Sequence, residues 1–515
     1  MANMESNVVI PQGRYQGLDG ETVVEFRGVP YAQPPLGPLR FKAPQPLPNG
    51  SGNHKADRYP LPSLQMNNPI TGIEQSGEDC LYLNIWAPKG EGPFPVMLWY
   101  HGGGYTAGSI SQPLYNGAAL AASQQVVVVH AAYRLGAHGF ADFSALAPEL
   151  EADSNLGLRD QVAALEWVHA HIAAFGGRND QVTIFGESAG GFSVAALLAT
   201  PRARPLFQRA IIQSGGADFV LSKDEVRRVT EAFVAALPGA GSAASRIRDA
   251  DDAAWIKAQN QALRTLAARG LRDSTPQFGM NFLPMVDGEL LPELPLQALA
   301  NGAAKDIDLL AGVCRDEWHF FQYAGPMAGY PTIEQMRGWS DDDILHRFER
   351  ALPGNGERVM AHYRERVTPH PDRCKMDWFS AMETDRMFRV PTLRLLDAQA
   401  AYRPVWGYQF TYESIRFGVP MGACHVVDVP FVFAVTDTPI GVFFTGGTSE
   451  ARQLAQEVQQ TWGDFAHGRG AGWTPWNEAR QVHQFGPGET MTALLDADTE
   501  QLWQHIIPVA EPLAG

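Results

Sequence analysis

Val182-Thr183-Ile184-Phe185-Gly186-Glu187-Ser188-Ala189-Gly190-Gly191-Phe192, continuing to Ala199, reads as strand, sharp turn and helix. Val182 to Phe185 is short, apolar and rich in β-branched residues, which suits a buried strand, and Phe192 to Ala199 is apolar, alanine-rich and free of proline, which suits a helix. The turn between them matches G-x-S-x-G, where glycines leave room for a tight reversal that exposes a serine hydroxyl at its tip. The helix starting there directs its first N–H groups toward any developing anion. Glycine makes up 51 of 515 residues, so the pentapeptide alone can arise by chance. Its place between a strand and a helix is what singles out Ser188 as a nucleophile.

Upstream, Phe94 to Tyr100 is nearly all apolar, as expected of a strand covered on both faces, and it runs into His101-Gly102-Gly103-Gly104-Tyr105. Consecutive glycines expose backbone N–H groups to close approach, the composition of a loop that completes an oxyanion hole. Glu78 to Trp86 reads as another strand of the sheet, as do Val126 to His130, Ala210 to Ser214 and Asp308 to Val313. Asn155 to Phe175 has helical apolar spacing. This alternation implies an α/β protein with a large, mostly parallel central sheet flanked by helices.

Helices outside the rhythm start at the capping box Ser222-Lys223-Asp224-Glu225 and at Ser340 with Asp343. Without a linker or repeat to separate them, 216–305 and 320–400 read as insertions that cap the C-terminal edge of the sheet within one domain spanning 1–515. Ser449 to Ala466 is an amphipathic helix explained by core packing.

The net charge of -16 disfavours nucleic acid or an anionic membrane as partner, and no apolar run approaches a membrane span. Met1 to Gln16 lacks the pattern of a signal peptide, so a cytoplasmic protein is expected. Cys80, Cys314, Cys374 and Cys424 are far apart, which argues against both a metal site and a disulfide framework.

A serine hydroxyl needs an imidazole to take its proton and a carboxylate to fix that imidazole's tautomer. In such a sheet the chain order is serine, acid, histidine, which leaves His101 to shape the glycine loop. Gly312-Val313-Cys314-Arg315-Asp316-Glu317 follows a buried apolar strand, so its carboxylates sit where a loop residue could reach across to the nucleophile. His425, in Gly422-Ala423-Cys424-His425, is a candidate base, with His319, His346, His362, His370, His467, His483 and His505 as rivals.

The blocks G-V-P-Y-A-Q-P-P, E-D-C-L-Y-L-N-I-W, H-G-G-G-Y, N-L-G-L-R-D-Q, F-G-E-S-A-G-G, G-V-C-R-D-E and G-A-C-H-V-V-D-V-P-F-V-F follow one another from about Gly13 to Trp476. In this order they resemble type-B carboxylesterases, the cholinesterase-like α/β-hydrolases, and in style bacterial para-nitrobenzyl esterases. The resemblance implies Ser188 as nucleophile, His425 as general base and then acid, and Glu317 as the orienting carboxylate, with Asp316 the nearest competitor. It implies an oxyanion hole from the N–H groups of Gly103, Gly104 and Ala189, and Glu187 and Ser214 as supports of the serine and histidine. Glu187 reads equally as a carboxylate at a helix N-terminus.

The implied reaction is hydrolysis of a small-molecule carboxylic ester through an acyl-enzyme, with no metal or cofactor. A carbamate, amide or thioester is the alternative substrate, and a non-catalytic binding module the third reading. Three departures stand out. Ser63 replaces a cysteine that often pairs with the Cys80 position, so that disulfide should be absent. Ser63 to Cys80 contains no tryptophan to bind a quaternary ammonium, which argues against choline esters. Trp318 stands where a glycine commonly follows the acid.

Overall fold

The computed structural model describes residues 6–68, 72–269, 280–323, 331–414, 420–488 and 490–507. Among the described residues eleven strands form the main sheet: β1 (Leu18–Asp19), β2 (Val23–Pro30), β3 (Tyr82–Pro88), β4 (Phe94–Tyr100), β5 (Val127–Ala131), β6 (Gly177–Glu187), β7 (Arg209–Gln213), β8 (Asp308–Cys314), β9 (Val405–Phe410), β10 (Val482–Phe485) and β11 (Met491–Thr492). Across the sheet they run 11-10-9-8-7-6-4-5-3-2-1. From β10 to β5 every neighbouring pair is parallel, and antiparallel pairs occur only at the two margins. The expected large, mostly parallel sheet is therefore present.

Residue type explains the sheet's centre. Every residue of β4 and β5 is buried, because helices cover both faces and leave no position for a polar side chain to reach water. The helix Ala189–Ala199 is buried along its whole length and packs on β6 and β7. Glycine at 190 permits this approach, since a Cβ there would lie 1.9 Å from the Tyr100 carbonyl oxygen. Beside this helix, and joined to it by the Gln161–Ser193 hydrogen bond at 2.9 Å, Leu156–His171 carries Asp160, whose carboxylate takes the Arg134 guanidinium through both oxygens at 2.7 and 2.8 Å. Both side chains are buried, so each neutralises a charge that would otherwise be stranded.

Two helical excursions leave the sheet. Between β7 and β8 lie Lys223–Ala236, Ala243–Asp249, Asp252–Arg269 and Pro295–Ala300, the first opened by the expected reciprocal cap of Ser222 and Glu225. Between β8 and β9 the chain forms several short helices, including Asp341–Ala351 with the Ser340–Asp343 capping box. It returns through Asp377–Thr384, a π-helical turn at Asp385–Arg389, and Val390–Ala400, which packs on β8 and β9. The expected insertions at 216–305 and 320–400 include 270–279 and 324–330, which lie outside the described residues. Ser449–Ala466 is a single helix whose expected apolar stripe is buried. Among the described residues no helix is long and apolar enough to cross a membrane.

Candidate active site

The sheet's order reverses at β6, whose neighbours are β7 and β4, and the loops leaving the carboxyl ends of β4, β6, β7 and β8 meet there. Ser188 occupies the turn after β6 with φ 57° and ψ -124°, a conformation that costs a non-glycine residue about 1–3 kcal/mol. Its N–H donates to the Gln213 carbonyl at 3.0 Å and its carbonyl accepts from Phe192 at 2.9 Å, so both strand and helix hold the turn. The strand–serine–helix reading of 182–199 is therefore met.

The glycine loop after β4 is held as firmly. Gly103 has φ 111°, and a Cβ there would lie 2.1 Å from the Ala107 carbonyl oxygen, so no other residue fits. His101 stacks on Tyr133 at 4.7 Å, and its Nδ1 lies 2.8 Å from the Gly102 carbonyl. Burial lowers this imidazole to about 4, so the ring is neutral and its Nδ1–H is the donor. Gln65 brackets Gly108 through both amide atoms, at 2.7 and 2.9 Å. Among the described residues the N–H groups of Gly103, Gly104 and Ala189 have no protein acceptor.

Glu317 and His425 come together from chain positions 108 apart: the imidazole Nδ1 lies 2.6 Å from Glu317 Oε2. The other carboxylate oxygen accepts from Ser214 Oγ at 2.6 Å and from the Cys314 N–H at 2.7 Å, which fixes its plane. Asp316, the competing acid, is engaged elsewhere. Its carboxylate accepts from Arg315 and from the Ala423 N–H, and so ties the two loops together. Of the rival histidines, His319 faces the Met421 carbonyl and Asp377.

The second imidazole nitrogen lies beside Glu187, which the resemblance names as a support of the serine and histidine. His425 Nε2 is 3.1 Å from Glu187 Oε1, an ion-pair distance without hydrogen-bond alignment. Among the described residues Ser188 and His425 share no hydrogen bond, although both line one cavity. Burial opposes charge on the imidazole, but Glu187 and Glu317 outweigh it and raise His425 to about 9. Burial likewise pushes Glu187 up to about 8, against the pull of His425. The two groups titrate as one pair.

Asp428 was not singled out from sequence. It accepts from Gln213 Nε2 at 2.9 Å and Tyr408 OH at 3.3 Å, and burial raises it to about 6. Its signal was a lone carboxylate in the apolar run V-V-D-V-P-F-V-F.

The cavity measures about 630 Å³. Among the described residues lining it, Glu187 and His425 are the only acidic or basic side chains, and aromatic rings form much of the wall. Phe321 and Phe388 stand 5.0 and 5.1 Å from the imidazole, ring centre to ring centre. Among the described residues no group of three or more His, Cys, Asp or Glu side chains could hold a metal ion. All four cysteines are free and buried, and Ser63 Oγ donates instead to the Tyr133 carbonyl at 2.6 Å.

A parallel sheet with a strained serine turn at its switch point, facing a carboxylate-bound imidazole, defines an α/β-hydrolase. Comparison with known proteins narrows the class. The family model for the carboxylesterase family matches residues 5–501, and the chain belongs to that family. It is 36% identical over 470 residues to the para-nitrobenzyl esterase of Bacillus subtilis (strain 168), covering 90% of each chain. It is 32% identical over 530 residues to a human cocaine esterase, covering 94% of this chain and 88% of that one. A solved PNB esterase structure superposes with TM-score 0.82 at 33% identity, covering 98% of this chain and all of the other. A Geobacillus stearothermophilus carboxylesterase gives 0.80 at 33% identity, covering 93% and 96%. The protein is a carboxylic ester hydrolase.

Proposed function

We propose that Ser188 is the nucleophile, His425 the general base and then acid, and Glu317 the carboxylate that orients the imidazole. The 2.6 Å contact between Glu317 and His425, in the cavity that also holds Ser188, carries this reading. As an ester enters, the imidazole turns Nε2 from Glu187 to the neighbouring Ser188 hydroxyl; such hydrogen bonds often tighten only with substrate bound. Ser188 attacks the carbonyl carbon, and His425 takes the hydroxyl proton.

The oxyanion settles against the N–H groups of Gly103, Gly104 and Ala189, each contributing about 3 kcal/mol to the transition state. The C–O bond to the alcohol then breaks, and the alcohol leaves with the proton from His425. Water, deprotonated by His425, attacks the acyl-enzyme; the bond from the acyl carbon to Ser188 Oγ breaks, the serine takes the proton back from His425, and the acid is released. Glu187 and Ser214 support the imidazole and its carboxylate.

The apolar lining favours small, neutral esters. Residues of both excursions, among them Met280, Phe321 and Phe388, line the cavity, which supports reading 216–305 and 320–400 as a cap within one domain. Four free, buried thiols agree with a cytoplasmic location. Substitution of Ser188 by alanine tests the assignment: release of nitrophenol from a short nitrophenyl ester should vanish while the melting temperature stays near wild type. Persisting turnover would refute it.

A further inference from the structure

Two bulky residues directly follow the two partners of Ser188. Trp318 comes after Glu317 and Val426 after His425, and both side chains line the same cavity. Val426 has φ 74°, a region in which a β-branched residue is strained and glycine is not. Such strain persists only where the surrounding structure enforces it, and it concentrates at functional sites. Val426 is only partly buried, so its isopropyl group forms pocket wall rather than deep core.

Trp318 is 2% exposed, and its backbone N–H donates to Thr384 Oγ1 at 3.0 Å, which anchors the main chain there to the helix that leads into the π-helical turn. Its ring packs on Phe321 at 4.8 Å, and Phe321 stacks on Phe388, delivered by that turn, at 6.2 Å. A ring backed in this way cannot step aside for a wide substrate.

We propose that Trp318 and Val426 are specificity-determining residues that narrow the cavity beside His425, so that compact ester groups reach Ser188 and branched or fused-ring groups do not. This rests on the Ser188 reading above. A leaving group must lie within reach of His425 to receive its proton, so substrate bulk is sensed at this wall.

The test compares wild type, V426G and W318G on two series: nitrophenyl acetate, butanoate and 2,2-dimethylpropanoate, and acetates of phenol, naphthol and a branched alcohol. The readout is kcat/KM for each ester relative to the smallest in its series. Fitting or excluding a single methylene group changes such ratios by about 10–200-fold. A rise of about tenfold or more for the bulky members of either series supports the proposal.

V426G should melt at or above wild type, because glycine relieves the strained φ. If W318G does not fold, V426G decides. Bulky-to-small ratios within about twofold of wild type in every variant that folds, with esters still hydrolysed, would overturn the inference and leave the Ser188 assignment standing. Turnover that survives Ser188→Ala would instead remove the reading beneath it.

Discussion

The Nε2 of His425 stands 3.1 Å from Oε1 of Glu187, the residue directly before Ser188. The imidazole thus lies between two buried carboxylates, with Glu317 at 2.6 Å on the other nitrogen. Both carboxylates favour the charged form of the imidazole, whereas the proposed role of His425 as a base requires the neutral form.

The pH dependence follows from that arrangement. Burial lowers the imidazole's affinity for a proton, Glu187 and Glu317 raise it by more, and the net shift is upward from 6.5 to about 9. Because only the neutral ring acts as base, kcat/KM for a neutral ester should rise with pH through an inflection above 6.5. Glu187→Gln removes one of the two raising charges, so the inflection should move to lower pH. An unchanged profile in E187Q would separate Glu187 from the imidazole's titration.

Glu317→Gln keeps the shape of the acid but loses its charge, so Nδ1 is no longer held as the protonated nitrogen. By analogy with other triads, kcat should fall by about 10³–10⁴. Ser214→Ala removes only one of two donors to Glu317 Oε1 and should cost much less. Steady-state kinetics with circular dichroism as a folding control would check the order of these effects; equal losses would contradict it.

Away from the site, the Arg134–Asp160 pair should matter for stability. Asp160→Ala leaves the Arg134 guanidinium buried without its partner, which should destabilise the protein by about 3–5 kcal/mol. Urea unfolding would show it as a lowered midpoint.

The legibility of the chain tracked how local each signal is. The turn at Ser188 is written in adjacent residues, and the capping boxes at Ser222 and Ser340 likewise appear where the sequence places them. Strand β9 was missed because Gly407 interrupts its apolar run. The glycine is required there, since a Cβ would lie 2.6 Å from Val482 Cγ1 on the neighbouring strand.

His425 was one histidine among several until resemblance pointed to it, because its partner lies 108 positions away and no local pattern records the pairing. Glu187 beside the imidazole came likewise from the resemblance, since its own neighbours read equally as a helix N-terminus, and Phe388 reaches the site through a π-helical turn that ordinary helical periodicity does not announce. The aromatic wall that gives the pocket its character thus emerges only from tertiary structure.

The central claim is that Ser188, activated by His425, carries the acyl group. Its most direct measurement is the rate and position of covalent labelling by a fluorophosphonate, followed by peptide mass analysis. The account predicts one phosphonyl group per chain, on Ser188, with labelling strongly slowed in His425→Ala. A label on another residue, or undiminished labelling of Ser188 in H425A, would contradict it.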